Sequence, residues 1–289
     1  MLGVPTTARD ALDQAEELLK ASDAIDHPHA GKERFDAEEL LEFVVGDRWA
    51  LRDELTPDQL RRFRALVRKR SGGEPPAYIT GRTEFRGLIL DVRRGAFIPR
   101  QSSEFMAEQA IRRLRRRAQP VHVDMATGVG PVALAVAHAV RTARVFGVDI
   151  SATPVELARR NAAKLGLSNA TFLRGDLFSP LPANLRGAVD VVTIHPPYVP
   201  KREVRTLPRE IRAFEPPESL TDFSRDGLGL LFRVVQQSTD WLRDGGWLLV
   251  EVSPDRARGV ATTLRRGGFR EVRSTKGPVD VSRVIVGRV

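Results

Sequence analysis

The sequence predicts an α/β fold: a largely parallel sheet with helices on both faces, preceded by a small all-helical domain. Beyond Pro120, short β-branched runs alternate with amphipathic stretches of helical period, the pattern of strands joined by helical crossovers. In the first seventy or so residues, apolar side chains instead recur every three or four positions, as on helices that bury one stripe. At the other end, Thr275–Asp280 separates two strand-like runs and is too short for a helical crossover, so the final pair is expected to be antiparallel.

In order, Arg9 to Ala21 reads as a helix with Leu12, Ala15, Leu18 and Leu19 on one stripe, followed by the polar loop His27-Pro28-His29-Ala30-Gly31. Asp36 with Glu39 has the spacing of a capping box, opening a helix with Ala37, Leu40, Leu41 and Val44 on its apolar side and Gly46 at its close. Thr56-Pro57-Asp58-Gln59 repeats the device with proline at the first helical position. That helix buries Leu60, Phe63, Leu66 and Val67, shows arginines between Arg61 and Arg70, and stops at Ser71-Gly72-Gly73. Residues 1–73 are therefore expected to form the helical domain. Residues 74–100 read as a linker built on a hairpin, with strands Ala77–Phe85 and Leu88–Val92 around Arg86-Gly87. Residues 101–289 form the α/β domain. Ser102 or Ser103 caps its first helix, which runs into the basic stretch Arg112 to Arg117. The expected strands are Val121–Met125, Arg144–Val148, Ala170–Arg174, Val189–Ile194, Trp247–Val252, Phe269–Ser274 and Val281–Val286. Helices start at Pro131, at Thr153-Pro154-Val155-Glu156, at Leu228 and at Ser253-Pro254.

Composition narrows the functional classes. The chain has 289 residues, 42% hydrophobic and 29% charged, as in a soluble globular protein with one large and one smaller domain. No apolar run reaches the length of a membrane span, and Met1-Leu2-Gly3-Val4-Pro5 lacks a signal-peptide pattern, so no membrane association is expected. The absence of cysteine excludes disulfides and thiolate metal sites, and the five histidines lack a ligand spacing, so no metal is expected. The net charge of +9 suits a nucleic acid or ribosomal partner. Yet all but six of the 46 cations are arginine, a bias that also arises from composition alone.

The candidate chemistry lies where strands end. Val189–Ile194 is a buried strand stopped by His195-Pro196-Pro197-Tyr198, since proline has no N–H to give a sheet ladder. That carboxyl edge is where open α/β sheets bind ligands. Asp124-Met125-Ala126-Thr127-Gly128-Val129-Gly130 sits at an earlier strand-to-helix turn, where glycines permit close backbone approach and the helix offers free N–H groups. Gly128-x-Gly130-x-x-Ala133 fits a dinucleotide fingerprint, but Asp124 does not belong to it. An acid there suits a ligand with a cationic, methionine-type tail. Asp149 could take vicinal ribose hydroxyls, and Asp176 an adenine amino group with Leu177 against the ring. Singly, each aspartate is also an ordinary turn or cap residue. Together they describe an adenosyl ligand along the sheet edge and point to S-adenosylmethionine.

Almost end to end, the chain resembles the HemK/PrmC family, class I methyltransferases that methylate a glutamine side-chain amide in translation release factors. The resemblance is carried by Gly73–Leu88, by Ile98-Pro99-Arg100 followed by Glu104, by Asp124–Gly130 and by His195–Tyr198. Phe214-Glu215-Pro216, Asp226-Gly227-Leu228 and the Asp280…Arg283 pair extend it. It implies a Rossmann-like, seven-stranded sheet with the last strand antiparallel, a helical domain that reads the protein substrate, and a cytoplasmic location. It also implies S-adenosylmethionine contacts from Asp124, Ala126, Thr127, Gly128, Val129, Gly130, Asp149, Asp176, Leu177 and His195. Catalysis falls to His195, Pro196 and Tyr198, with Pro197 joining them around the acceptor. Two residues depart from the family pattern. Ala126 replaces a usual glycine, and His195 stands where the family has asparagine. The asparagine oxygen accepts an amide N–H; histidine does so only when neutral and in one tautomer. The departure leaves open another acceptor, such as a small molecule, a peptide or a nucleic-acid base, with His195 as base or orienter. A basic binding module without catalysis, using the Arg61–Arg70 and Arg112–Arg117 faces, is the remaining alternative.

Overall fold

The computed structural model describes residues 7–27, 31–278 and 280–289. The Met1–Pro5 stretch and the Pro28–Ala30 part of the polar loop lie outside the described residues. The chain divides into two compact units, one holding the segment up to Arg82 with Thr206–Glu215, the other Thr83–Arg205 with Pro216–Val289.

The first unit contains α1 (Ala8–Lys20), α2 (Lys32–Val45), α3 (Pro57–Ser71) and the short α4 (Pro76–Thr80). Its core is the expected stripe set, Leu12, Leu19, Leu40, Leu41, Leu60 and Phe63 among them. Thr56 and Gln59 form the anticipated capping box on α3, and Thr7 and Asp10 form one on α1. The Asp36–Glu39 box is a correction. Helix α2 begins five residues earlier, at Lys32 behind Gly31 in the left-handed region, and Asp36 is buried. There its Oδ2 accepts from Nε of the fully buried Arg70 at 2.7 Å, and Arg70 Nη1 lies 2.8 Å from Glu210 Oε2. A buried guanidinium needs carboxylates, and this demand recruits both Asp36 and the distant Thr206–Glu215 segment. Arg70 therefore belongs to no exposed basic face. A second correction concerns Ala77–Thr80, expected as strand. Pro76 at the first helical position and Gly81 at φ +72 bracket a helical turn there instead.

The hairpin of β1 (Arg82–Phe85) and β2 (Leu88–Asp91) belongs to the second unit from Thr83 on. It is not a free linker: Phe85, Leu88 and Leu90 are buried in the core formed with α5 (Ser103–Leu114). Then follow β3 (Val121–Met125), α6 (Pro131–Ala139), β4 (Arg144–Asp149), α7 (Ala152–Lys164), β5 (Ala170–Arg174) and β6 (Val189–Ile194). After α8 (Arg209–Phe214), which belongs to the first unit, and the short α9 (Pro217–Leu220) come α10 (Gly229–Trp241), β7 (Leu242–Val252), α11 (Ala257–Arg266), β8 (Arg270–Lys276) and β9 (Arg283–Arg288). Helices α7 and α11 begin after Ser151 and Arg256 rather than after Thr153 and Ser253, and neither N-cap side chain makes a capping hydrogen bond. The strands form one seven-stranded sheet of order β5-β4-β3-β6-β7-β9-β8, in which β9 runs antiparallel to both neighbours. Apolar layers cover both faces.

Candidate active site

The order of the sheet fixes where a ligand can enter. From β3 the chain steps outward to β4 and β5, then returns to place β6 on the other side of β3. Such a reversal opens a crevice at the carboxyl ends of the two central strands. Met125 pairs with Ile194 in parallel register, so Ala126 and His195 leave the sheet side by side. A cavity of about 480 Å³ lies at this edge. Its wall includes Asp124–Val129, Asp149, Asp176, Leu177 and His195–Pro197. Gly130 and Tyr198 stand just behind it. A Cβ on Gly130 would lie 3.0 Å from the Phe172 ring, so that glycine serves packing.

One wall is made by turns. Asp124 is nearly buried, and its carboxylate accepts from Thr193 Oγ1 at 2.6 Å and Thr127 Oγ1 at 2.7 Å. Burial pushes its pKa up to about 6 against the pull of these bonds. Because the Thr193 hydroxyl donates to Asp124, it accepts from His122 Nε2 behind it, at 2.9 Å. Burial holds His122 neutral by driving its pKa down to about 3. Asp149 accepts the Gly128 N–H at 3.0 Å and the Ser151 N–H at 2.9 Å, one on each oxygen, while burial pushes its pKa upward. Ala126 at φ +51 and Leu177 at φ +49 occupy the left-handed region, each at a cost of about 1 kcal/mol over glycine. Asp176 is exposed and ion-paired with Arg233 of α10. Nothing in the local sequence marks Arg233 as its partner.

The other wall is made by side chains from separate elements. The His195 ring packs edge-on to Phe97 at 5.9 Å and stacks with Tyr198 at 5.8 Å. Its Nδ1 lies 3.2 Å from Ser103 Oγ and 3.8 Å from Glu251 Oε2. Glu251, on β7, is fully buried, and neither carboxylate oxygen has a hydrogen-bond partner among the described residues. Burial lowers the His195 pKa, opposed by Glu251 and reinforced by Arg100. Tyr198 is raised by burial and by Glu251, and its backbone bridges to Thr221. Where Gly227 turns at φ +74, a Cβ would stand 2.2 Å from the Tyr198 carbonyl oxygen, so the loop Pro196–Tyr198 is braced by a backbone contact only glycine permits. Phe97, Ser103 and Glu251 escaped sequence reasoning. Glu251 left a signal, as a single charge inside the apolar run Trp247–Val252.

Comparison with known proteins points the same way. The PrmC N-terminal domain profile matches residues 10–81, and a methyltransferase domain profile matches residues 123–216. Release factor glutamine methyltransferases from Geobacter sulfurreducens and Yersinia pestis are 34% and 35% identical to this chain. The alignments cover 89% of this chain and 89% of the first relative, and 90% and 94% for the second. This chain belongs to the release factor glutamine methyltransferase family. Among solved structures, a T. thermophilus 16S rRNA methyltransferase in complex with AdoMet and guanosine shares the fold, with a TM-score of 0.52 at 17% identity over 72% of this chain and 49% of that one. Among the described residues, no helix is long and apolar enough to cross a membrane, and no group of three or more His, Asp and Glu could hold a metal ion. Ala126 and His195, which follow the paired Met125 and Ile194, both line the cavity wall.

Proposed function

We propose that this chain is an S-adenosylmethionine-dependent methyltransferase acting on the side-chain amide nitrogen of a glutamine in a translation release factor. The observation that carries the reading is the likeness to release factor glutamine methyltransferases over 89% of the chain. The cavity supports it, because its residues fit the donor. Asp124 is a buried carboxylate held by hydroxyls, with no cation against it among the described residues, and an ammonium group would relieve the cost of burying its charge. Asp149 lies on the cavity wall as a carboxylate held by backbone N–H groups, an acceptor for ribose hydroxyls. At Gly128 nothing lies within 4 Å of where a Cβ would be, so a ligand can approach the backbone. Asp176 and Leu177 flank the place for the adenine.

The bound donor supplies an electrophilic methyl group. An amide nitrogen is a poor nucleophile because its lone pair is delocalised into the carbonyl, so the protein's task is orientation. His195 and the Pro196 carbonyl accept the two N–H bonds, turning the nitrogen lone pair toward the methyl group. Tyr198, stacked at 20° on the imidazole, fixes the plane of that ring. The partner is thus a protein, read by the helical unit and by the loops at the sheet's carboxyl edge, which is where such folds vary. Incubation with methyl-labelled donor, a bacterial release factor and, separately, RNA tests the reading. Label is expected on a release factor glutamine. Label in RNA alone, or in neither, would overturn it.

A further inference from the structure

An amide oxygen is always an acceptor. Histidine needs something to decide which nitrogen carries its proton. We infer that Glu251 is a positioning residue for His195, keeping the ring proton on Nδ1 and leaving the Nε2 lone pair to the methyl acceptor. What Nε2 receives rests on the glutamine-methylation reading; the tautomer does not.

Two groups meet Nδ1. The Ser103 hydroxyl, at 3.2 Å, can rotate to donate or to accept, so it selects neither tautomer. Glu251 cannot adapt in this way: its carboxylate oxygen, 3.8 Å from Nδ1, attracts an N–H and repels a lone pair. The separation is a charge contact rather than a direct hydrogen bond, and Ser103 can take the Nδ1–H while the carboxylate biases it. Glu251 in turn has no hydrogen-bond partner for either oxygen among the described residues. A buried carboxylate in that state is costly, and the imidazole is the group its charge can act on. The other charged or titratable groups around the ring are Arg100, ahead of α5, and Tyr198 in the same loop. Arg100 opposes protonation, and burial does the same, so the ring stays neutral and keeps an acceptor nitrogen.

The same pair completes the proton balance of the reaction. As the amide nitrogen bonds to the methyl carbon, the carbon–sulfur electron pair leaves with sulfur, and the nitrogen is left with a surplus proton. That proton passes to Nε2. The imidazolium so formed faces the Glu251 carboxylate until water removes the proton.

Nitrogen-15 histidine spectra of the full chain near neutral pH test the inference, with the His195 signal assigned by its loss in His195→Asn. The wild-type protein is expected to show Nδ1–H and a bare Nε2, which requires no variant at position 251. In Glu251→Gln the Nε2–H form should appear and the His195 pKa should fall, while Glu251→Asp keeps Nδ1–H. On a release factor substrate, Glu251→Gln should lower kcat at least about tenfold, move the acid limb of the profile to lower pH and leave donor affinity unchanged. A wild-type Nε2–H tautomer, or a tautomer unmoved in Glu251→Gln, overturns the inference. Absence of release factor methylation by wild-type protein overturns the functional reading instead, and leaves the tautomer result standing.

Discussion

On the proposed reading, the donor meets a wall built mainly from turns at strand ends, whereas the acceptor meets one built from side chains of the segment entering α5, the His195 loop and β7. On the first, Asp149 is held by backbone N–H groups of the turns after β3 and β4, and Asp124 by the hydroxyls of Thr127 and of Thr193 on the adjoining strand. On the second, His195 owes its orientation to Phe97 and Ser103 from the segment entering α5, Tyr198 from its own loop and Glu251 from β7. Construction on strand-end turns suits a ligand that does not change. Construction at a distance lets one residue, such as position 195, be exchanged if another group compensates.

If the walls are independent, a substitution on one should spare the other. Gly227→Ala should have the largest effect, because its Cβ would displace the Tyr198 carbonyl from 2.2 Å. A shift of about an ångström costs on the order of 100-fold in rate, and calorimetry should find donor affinity intact. Loss of donor binding in that variant would show the walls to be coupled. Asp149→Ala should act the other way, weakening the donor by roughly 30-fold, about 2 kcal/mol. Affinity equal to wild type would remove Asp149 from the donor wall.

A pH series sharpens the contrast. Asp124, with its pKa near 6, attracts a cation only as carboxylate, so donor affinity should fall as pH drops through about 6. Its limiting slope is about tenfold per pH unit. In the donor-free protein the sign reverses. Ionisation above the ordinary value of 3.8 costs the fold, so this group's contribution to stability is complete below that pH and declines as pH rises through about 6. Isothermal titrations on either side of 6 check the first statement and denaturant melts the second; a flat affinity would sink it. The smallest effect is expected from Ala126→Gly, which relieves a left-handed alanine. It should raise stability by up to about 1 kcal/mol, seen as a modest rise in the denaturant midpoint, with the acceptor side untouched.

This division also explains what the sequence could tell. Strand ends, glycine turns and the Asp124, Asp149 and Asp176 series are local patterns, and the alternation beyond Pro120 reads directly as the sheet. Asp36 misled because a helix-capping spacing and a buried ion-pair residue look alike until Arg70 is seen beside it. Arg233 beside Asp176 and Ser103 beside His195 depend on pairings across 57 and 92 residues, which no short pattern encodes. Glu251 was visible as an oddity in an apolar strand, but its neighbour was not.

The charge cluster around Arg70 sets a rule for making chimeras. Its counter-ions come from α2 and from Glu210, whose carboxylate also pairs with Lys32. Grafting these N-terminal helices onto a relative, without carrying Thr206–Glu215 along, would strand the buried Arg70 guanidinium with part of its counter-charge missing. Breaking a buried pair in this way costs about 3–5 kcal/mol, so the portable unit is two stretches of chain, not one.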